Sequence, residues 1–287
     1  MTATQALDSL TGLSVGDAVG AQYFVPGTTT DALPDPPWQW TDDTEMAWSV
    51  YTELRDHGRV DQDRLAKLFA ERCEPYRGYG PGAVVILHRI RDGVPWREAA
   101  SAVFDGQGSC GNGAAMRVAP LGAYFAGDLD TTAEQAALSA EVTHLHPEGV
   151  LGAVAVALAA SAAASHTDRL LDVVLEKLAD GQVRDGVVRA RELLGVTAGE
   201  AAHELGNGSR VTAQDTVPFT LWVAATHLAD YPTAITACIR AGGDIDTTSA
   251  IVGGIVAAHT GVEGIPPEWL AAREPLPVPD RTHRRHP

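Results

Sequence analysis

Cysteine is scarce in this sequence, and its spacing argues against a disulfide framework. Only three of the 287 residues are cysteine. Cys73, Cys110 and Cys238 are widely spaced, odd in number and without a Cys-x-x-Cys pair. The N-terminal segment carries Asp8 and lacks the basic region of a secretory signal. We therefore expect a protein of the reducing cytoplasm.

Basic residues are also few, which limits the partners of the chain. It has 21 lysines and arginines against 37 aspartates and glutamates, so the formal net charge is −16. A strongly acidic protein binds phosphate backbones poorly, and general nucleic-acid binding is not expected. An anionic ligand would need a local source of hydrogen-bond donors or positive charge, such as backbone amides or a metal ion.

Long apolar runs are missing as well. The longest apolar stretch covers residues 150–160 and continues weakly to Ala164. It is rich in alanine and falls short of the ~20 strongly apolar residues that cross a bilayer, so we expect no membrane contact. Hydrophobic residues make up 45% of the chain and charged residues 20%, which is typical of a folded globular protein.

Alternation of apolar and polar residues, the mark of β-strands, is weak, whereas helical spacing is frequent. Apolar residues recur at intervals of three and four in many segments, among them residues 7–13, 46–54, 84–90, 148–164 and 248–258. Alanine, which favours helices, is abundant. The sequence therefore predicts an all-α fold of ten or more short helices. We expect a single compact orthogonal multi-helix domain over residues 1–274 and a tail rich in Pro, Arg and His over residues 275–287.

Two glycine-rich segments interrupt the helical pattern. Residues 77–82 read RGYGPG, and residues 105–113 read DGQGSCGNG. One interpretation is a pair of tight turns, because glycine accepts left-handed backbone angles. The other is a pair of binding loops, because glycine also lets backbone amides approach an anion closely. A helix is predicted directly after the second segment, with its N-terminus aimed at that loop. The residues alone leave both interpretations open.

Two acidic clusters have the same composition. Residues 41–44 read TDDT, and residues 244–247 read DIDT. N-capping is one interpretation, since Thr and Asp are preferred helix caps. The repetition favours another, because four carboxylates brought together would repel one another unless cations lay among them. All the donors are hard oxygens, which suits two Mg²⁺ or Mn²⁺ ions better than Zn²⁺.

Six motifs, spread over the chain from Gly12 to about Leu270, carry a resemblance to a known family. They read GLSVGDAVGA (12–21), WTDDTEM (40–46), RGYGPG (77–82), GSCGNGAAMRVAPLG (108–122), THLHPEG (143–149) and GGDIDTTSAIVGG (242–254). Together they resemble the ADP-ribosylglycohydrolase family, the proteins like dinitrogenase-reductase-activating glycohydrolase. Any one motif is a modest signal, whereas six in the family's order are a strong one.

The resemblance implies an all-α fold with two Mg²⁺ or Mn²⁺ ions at the bottom of a cleft. The family's metal ligands fall on Thr41, Asp42, Asp43, Asp244, Asp246 and Thr247. The positions that match the family's ADP-ribose-binding loops and histidine are Gly78, Tyr79, Gly80, Gly108, Ser109, Cys110, Gly111, Asn112 and His144. Asp17, in the GDA motif, either supports the metal site or caps a helix. The implied activity is hydrolysis at the anomeric carbon of an ADP-ribosyl group, with release of ADP-ribose from a modified protein or small molecule.

One position departs from the family. Relatives commonly carry a glutamate a few residues after the GDA motif, and it is assigned to water activation or substrate gating. Phe24 stands there in this chain, and neither Glu45 nor Glu148 matches that role by position. We therefore expect Asp43 or Asp246 to act as the catalytic base. The alternative is a catalytically weak ADP-ribose-binding protein of the same fold.

Overall fold

The computed structural model describes residues 2–167 and 169–277. Within these residues it contains fifteen α-helices, five short 3₁₀ turns and no β-strand, so the all-α prediction is confirmed. The helices are α1 Thr2–Ala21, α2 Asp42–His57, α3 Gln62–Arg72, α4 Pro81–Arg91, α5 Trp96–Ser101, α6 Ala119–Tyr124, α7 Leu129–Glu141, α8 Pro147–Ala164, α9 Leu170–Lys177, α10 Gln182–Glu192, α11 Ala198–Leu205, α12 Ala213–Thr226, α13 Tyr231–Ala241, α14 Ile245–Thr260 and α15 Pro267–Ala272.

The most extensive helix pair joins α1 to α14. Gly12, Gly16 and Gly20 recur at every fourth position of α1 and face the backbone of α14. A Cβ at Gly20 would lie 2.7 Å from the Asp246 Cα, so only glycine allows the two helices to approach this closely. The contact brings Asp17 of α1 beside the first turn of α14, where the second acidic cluster lies.

Helix α8 forms the centre of the core. It is apolar on all sides, and a helix of that kind is stable only when neighbouring elements surround it. It contacts α6, α7, α12 and α14. By length and composition Pro147–Ala164 could cross a membrane, yet 83% of this helix is buried inside the fold. Its apolar surface is therefore used in packing against other helices of the same chain.

Both acidic clusters lie at helix N-termini. Thr41 is the N-cap of α2, and its hydroxyl oxygen accepts a hydrogen bond from the Asp43 amide at 3.3 Å. Asp244 is the N-cap residue of α14 but makes no side-chain capping bond. Capping therefore explains Thr41 in part and leaves the carboxylates of the second cluster available for other contacts.

The chain differs from expectation just after the second glycine-rich segment. The sequence pattern suggested a helix starting directly after GSCGNG and aimed at the loop. The structure has one 3₁₀ turn, Asn112–Ala114, and α6 begins only at Ala119. Pro120 lies in the first turn of α6, where a residue without an amide hydrogen is tolerated.

The predicted C-terminal tail lies mostly outside the described residues. Its first residues pack on the domain: the Pro275 carbonyl accepts a hydrogen bond from Trp40 Nε1 at 3.5 Å, and Leu276 packs beside the buried cluster that contains Trp48. Residues 278–287 are not described, so the boundary at 274 stays a prediction.

Candidate active site

Both glycine-rich segments and both acidic clusters meet in one cleft of about 740 Å³. Three further segments complete its wall: residues 104–107, residues 143–146 and residues 210–212. Of the residues singled out from the sequence, the cleft is lined by Asp42, Asp43, Gly78, Gly80, Gly108, Ser109, Cys110, Gly111, Asn112, His144, Asp244, Asp246 and Thr247. The fold thus brings residues that are up to about two hundred positions apart in sequence to the same cleft.

Asp17 holds the first acidic cluster in place from α1. Its Oδ1 accepts a hydrogen bond from the Thr41 hydroxyl at 2.8 Å, and its Oδ2 accepts one from the Thr41 amide at 2.9 Å. Oδ2 also accepts bonds from the amide and the hydroxyl of Thr44. Asp17 is completely buried. Asp17 therefore holds the start of α2 and orients the acidic loop, and its support of a metal site stays a prediction.

A group of three carboxylates lies at the base of the cleft. Oxygen atoms of Asp17, Asp43 and Asp246 all lie within 4.8 Å of one another. Asp43 Oδ2 lies 3.0 Å from the Thr41 hydroxyl oxygen, whereas its Oδ1 is buried and has no hydrogen-bond partner. An orphaned carboxylate oxygen among other carboxylates is costly unless a cation binds there. The all-oxygen donor set fits a hard divalent ion.

The carboxyl pKa values in this group are raised. Burial, and then the charge of Asp17, raises the pKa of Asp42 to about 8. Burial followed by Asp17 raises the pKa of Asp43, and burial followed by Asp244 raises that of Asp246. Burial raises the pKa of Asp17 to about 6, against the hydrogen bonds from Thr41 and Thr44, which lower it. Like charges in a dry site disfavour ionisation, and a bound cation would reverse that effect.

The second acidic cluster is tied to the glycine-rich loop. Asn112 donates from Nδ2 to Asp244 Oδ2 at 2.7 Å and to the Thr216 hydroxyl at 3.1 Å. The Thr247 amide donates to Asp246 Oδ1 at 2.8 Å. The loop expected to bind the ligand and the loop expected to bind metal are therefore parts of one hydrogen-bonded unit.

The loop at residues 108–112 is both a tight turn and a wall of the cleft. Gly108 has a φ of +75°, and a Cβ there would lie 2.8 Å from the His146 amide nitrogen. The Gly111 amide donates to Ser109 Oγ, and the Asn112 amide donates to the Val211 carbonyl. Two of the amides that could have faced an anion are therefore already occupied within the protein.

His144 is buried at the wall of the cleft. Its Nδ1 lies 2.8 Å from the Thr143 hydroxyl. Burial, reinforced by the charge of Arg117, lowers the pKa of His144 to about 3, so the ring is neutral at physiological pH. His146 has a structural role, because its Nδ1 accepts the Glu148 amide at 3.1 Å and caps α8.

Two residues expected at the site lie behind it. Tyr79 does not line the cleft; it is buried, and its hydroxyl donates to Glu45 Oε2 at 2.6 Å. Its neighbours Gly78 and Gly80 form the wall instead. Thr41 is also absent from the lining, because its hydroxyl faces Asp17 and Asp43. Of the two, Thr41 still contacts the acidic base through Asp43, whereas the hydrogen-bond partner of Tyr79, Glu45, does not line the cleft.

No glutamate lines the described cleft. Glu45 accepts hydrogen bonds from Tyr79 and from the Glu74 amide, and Glu148 accepts them from the amides of Gln182 and Val183. Phe24 is 55% exposed and is not among the lining residues. The carboxylates of the cleft are therefore the four aspartates of the two acidic clusters.

Three residues at the rim of the cleft were not predicted from the sequence. Phe104, Arg210 and Val211 line it, and the two apolar side chains are exposed. Phe104 and Val211 have φ values of 53° and 56°, which residues with a Cβ rarely adopt. An Asp-Gly pair after Phe104 and an Asn-Gly pair before Arg210 mark turns, but a turn signal does not identify which side chain will face a cleft.

Comparisons with known proteins agree with this geometry. The sequence model of the family described as ADP-ribosylglycohydrolase matches residues 2–284. The chain belongs to that family. The cattle (Bos taurus) ADP-ribosylhydrolase ARH3 is 31% identical, with 92% of this chain and 87% of that protein covered. The human protein of the same name is 30% identical, with 92% and 88% covered.

An ADP-ribosylglycohydrolase fold is also found by comparing structures. A chain from a structure titled "ADP-ribosylglycohydrolase-related protein complex" is similar with a TM-score of 0.67 and 25% identity, and 95% of this chain and 93% of that chain are covered. The similarity therefore extends over nearly the whole chain. The family assignment therefore rests on the whole domain and not on isolated motifs.

Proposed function

We propose that this ADP-ribosylglycohydrolase is a metal-dependent hydrolase that cleaves the glycosidic bond at the anomeric carbon of an ADP-ribosyl group. The observation that carries the proposal is the bond between Asn112 and Asp244, which joins a glycine-rich wall to an acidic base in one cleft. The ADP portion would lie against the glycine loops, with the distal ribose directed to the acidic base. The substrate is an ADP-ribosylated protein or small molecule, and ADP-ribose is released.

Two Mg²⁺ or Mn²⁺ ions fit the acidic base. The carboxylates of Asp42, Asp43, Asp244 and Asp246, with the hydroxyls of Thr41 and Thr247, would hold them. The orphaned Asp43 Oδ1 and the raised carboxyl pKa values support a site that becomes favourable when cations bind. Bound divalent ions supply positive charge that orients ribose hydroxyls and lowers the pKa of water.

The proton transfer and the positioning of the acidic loops are assigned to residues of the chain. A carboxylate accepts the proton of the water that attacks the anomeric carbon, through a transition state of oxocarbenium character. Asp43 or Asp246 serves as this base, since the four aspartates are the carboxylates that line the cleft. Asp17 keeps the Asp42–Asp43 backbone fixed by its bonds to Thr41 and Thr44. Asn112 fixes Asp244.

A second candidate function is ADP-ribose binding with little hydrolysis. It is favoured by the lack of any glutamate along the described cleft, since the position where relatives commonly carry one is Phe24, which lies outside the lining. A positioned general base contributes roughly 10²–10⁴-fold to a rate, so its loss would leave a weak enzyme. The intact pair of acidic clusters argues for the hydrolase.

Release of free ADP-ribose from ADP-ribosylated protein in the presence of Mg²⁺ tests the two candidates. We expect turnover by the wild-type protein, none by Asp42→Asn or Asp246→Asn, and wild-type turnover by Asp180→Asn, whose side chain is fully exposed away from the cleft. Binding of ADP-ribose without release would establish the second candidate. Absence of both would refute the proposal.

The same assay identifies the leaving group. Substrates linked through arginine, serine, an acetyl group or a nucleobase differ only beyond the anomeric carbon, so each reports on the outer part of the cleft.

We place the activity in the cytoplasm, because all three cysteines are free.

A further inference from the structure

One exposed cation lies at the rim of the acidic cleft. Arg210 lines it, and its side chain is 83% exposed. We propose that Arg210 is a specificity-determining residue that binds the diphosphate of the ADP-ribosyl group. The inference rests on the proposed function and adds a residue to it that the sequence motifs do not contain.

A diphosphate entering this cleft needs a positive charge. The cleft contains four aspartates, and the chain carries a net charge of −16. Among the described residues that line it, Arg117 and Arg210 are the only lysine or arginine side chains. Arg117 is completely buried and donates to the carbonyls of Gly113 and Ser139, so its guanidinium is used inside the protein. Arg210 is the guanidinium that a ligand can reach.

The backbone amides of the glycine-rich loop do not replace this charge. A nest of free amides could neutralise part of a phosphate. In this loop the Gly111 amide is bonded to Ser109 Oγ at 3.1 Å, and the Asn112 amide is bonded to the Val211 carbonyl at 3.2 Å. The loop therefore offers fewer free hydrogen-bond donors than its glycine content indicates. A side-chain cation beside it would supply the positive charge that a phosphate needs.

The segment that carries Arg210 is fixed next to the loop. The Arg210 amide donates to Asp215 Oδ2 at 2.9 Å, and the Val211 amide donates to the Gly208 carbonyl at 2.7 Å. Thr212 forms an isolated β-bridge with Gly111. These bonds hold the Arg210 backbone within two residues of a direct contact with the loop expected to bind the diphosphate.

The Arg210 side chain is free to bind an anion. Its nearest carboxylate is Asp215, with 4.0 Å between Arg210 Nε and Asp215 Oδ1. Asp215 Oδ2 is already occupied by the Arg210 amide. A guanidinium with its planar fork of donors open can bind two phosphate oxygens at once, which a lysine ammonium cannot do in the same geometry.

Isothermal titration of ADP-ribose into wild-type protein, Arg210→Ala, Arg210→Lys and Arg97→Ala tests the proposal. Arg97 is a matched control, because its side chain is 65% exposed, its carboxylate neighbour is also 4.0 Å away, and it does not line the cleft. We expect the Kd to rise about tenfold in Arg210→Ala, less in Arg210→Lys, and not at all in Arg97→Ala. The melting temperature of each variant should equal that of the wild type.

Two further readouts separate phosphate binding from a general charge effect. The slope of log Kd against log salt concentration should be smaller in Arg210→Ala than in Arg97→Ala. In hydrolysis, the KM of Arg210→Ala should rise while kcat stays near the wild-type value.

Equal Kd values for wild type and Arg210→Ala, or equal weakening in Arg210→Ala and Arg97→Ala, would overturn the role of Arg210 alone. A wild-type protein that binds no ADP-ribose would overturn the proposed function and this role with it.

Discussion

Asn112 donates a hydrogen bond of 2.7 Å from its side-chain amide to the Oδ2 of Asp244. The two residues are 132 positions apart, and they belong to the glycine-rich loop and to the second acidic cluster. The bond fixes the orientation of a carboxylate that the family resemblance assigns to metal binding. It also links the binding wall directly to the acidic base.

Replacement of Asn112 by alanine should therefore weaken binding of divalent cations. Residues that orient a metal ligand typically contribute 10–100-fold to affinity, and we expect a loss of about that size for Mg²⁺ or Mn²⁺ by calorimetry. Thr216→Val is the matched control, because it removes the other partner of Asn112 Nδ2 and leaves Asp244 untouched. Equal losses in both variants would show that the effect comes from general disturbance of the loop.

The glycines of the two loops should respond differently to substitution. A Cβ at Gly80 would meet nothing within 4 Å, although Gly80 lines the cleft. Gly80→Val should therefore keep the wild-type melting temperature and weaken ADP-ribose binding by occupying ligand space. Gly108→Ala should instead lower stability by about 1–3 kcal/mol, because its φ is positive and a Cβ would crowd His146.

Urea unfolding and ADP-ribose titration of both variants check this prediction. An unchanged Kd for Gly80→Val would remove the loop at residues 77–82 from the binding site. An unchanged unfolding free energy for Gly108→Ala would mean that this turn is not strained.

Phe24 provides a test of the missing glutamate. The side chain is 55% exposed and lies outside the described lining of the cleft. A carboxylate placed there by Phe24→Glu has no direct access to the reacting ribose, so turnover on an ADP-ribosylated peptide should stay within about twofold of the wild type. A rise of tenfold or more would contradict this and would show that the segment after α1 closes over the cleft during the reaction.

The sequence predicted the helical fold and the two acidic clusters well, because both depend on local pattern. Helical spacing of apolar residues marks α2, α4, α8 and α14, and Thr–Asp pairs mark two helix starts. The family assignment is confirmed. The ligand roles of the acidic and glycine-rich residues stay predictions, although most of those residues line one cleft.

Long-range contacts determine what the sequence could not predict. Asp17 supports the acidic loop through Thr41 and Thr44, which follow 24 and 27 residues later. From the sequence, Tyr79 could either stack on a ligand or pack in the core. Its hydrogen bond to Glu45 shows that it packs in the core. Nothing in the sequence distinguishes Arg210 from other arginines, and long-range contacts such as the pairing of Thr212 with Gly111 bring it to the cleft.

The raised carboxyl pKa values predict how stability depends on pH in the metal-free protein. The pKa of Asp42 rises from its usual 3.8 to about 8 in the folded state, and the pKa values of Asp43 and Asp246 rise as well. A folded state that holds more protons than the unfolded chain loses stability as pH increases. His144 has the opposite effect, because its folded pKa is lowered, but this effect diminishes above its usual value of 6.5. From pH 6.5 to 8 the carboxylates therefore dominate the pH dependence.

Urea unfolding at pH 6.5, 7.25 and 8 in the presence of a chelator measures this dependence. Each proton retained only by the folded state lowers the unfolding free energy by about 1.4 kcal/mol per pH unit, so a fall of at least about 1 kcal/mol across the window is expected. Saturating Mg²⁺ should abolish the fall, because cation binding displaces those protons. Asp42→Asn should reduce the slope without added metal, whereas Asp180→Asn, at an exposed position, should leave it unchanged. Constant or increasing stability of the metal-free wild type over this range would mean that the carboxylates are ionised without a cation, and the argument for a metal site from their burial would then fail.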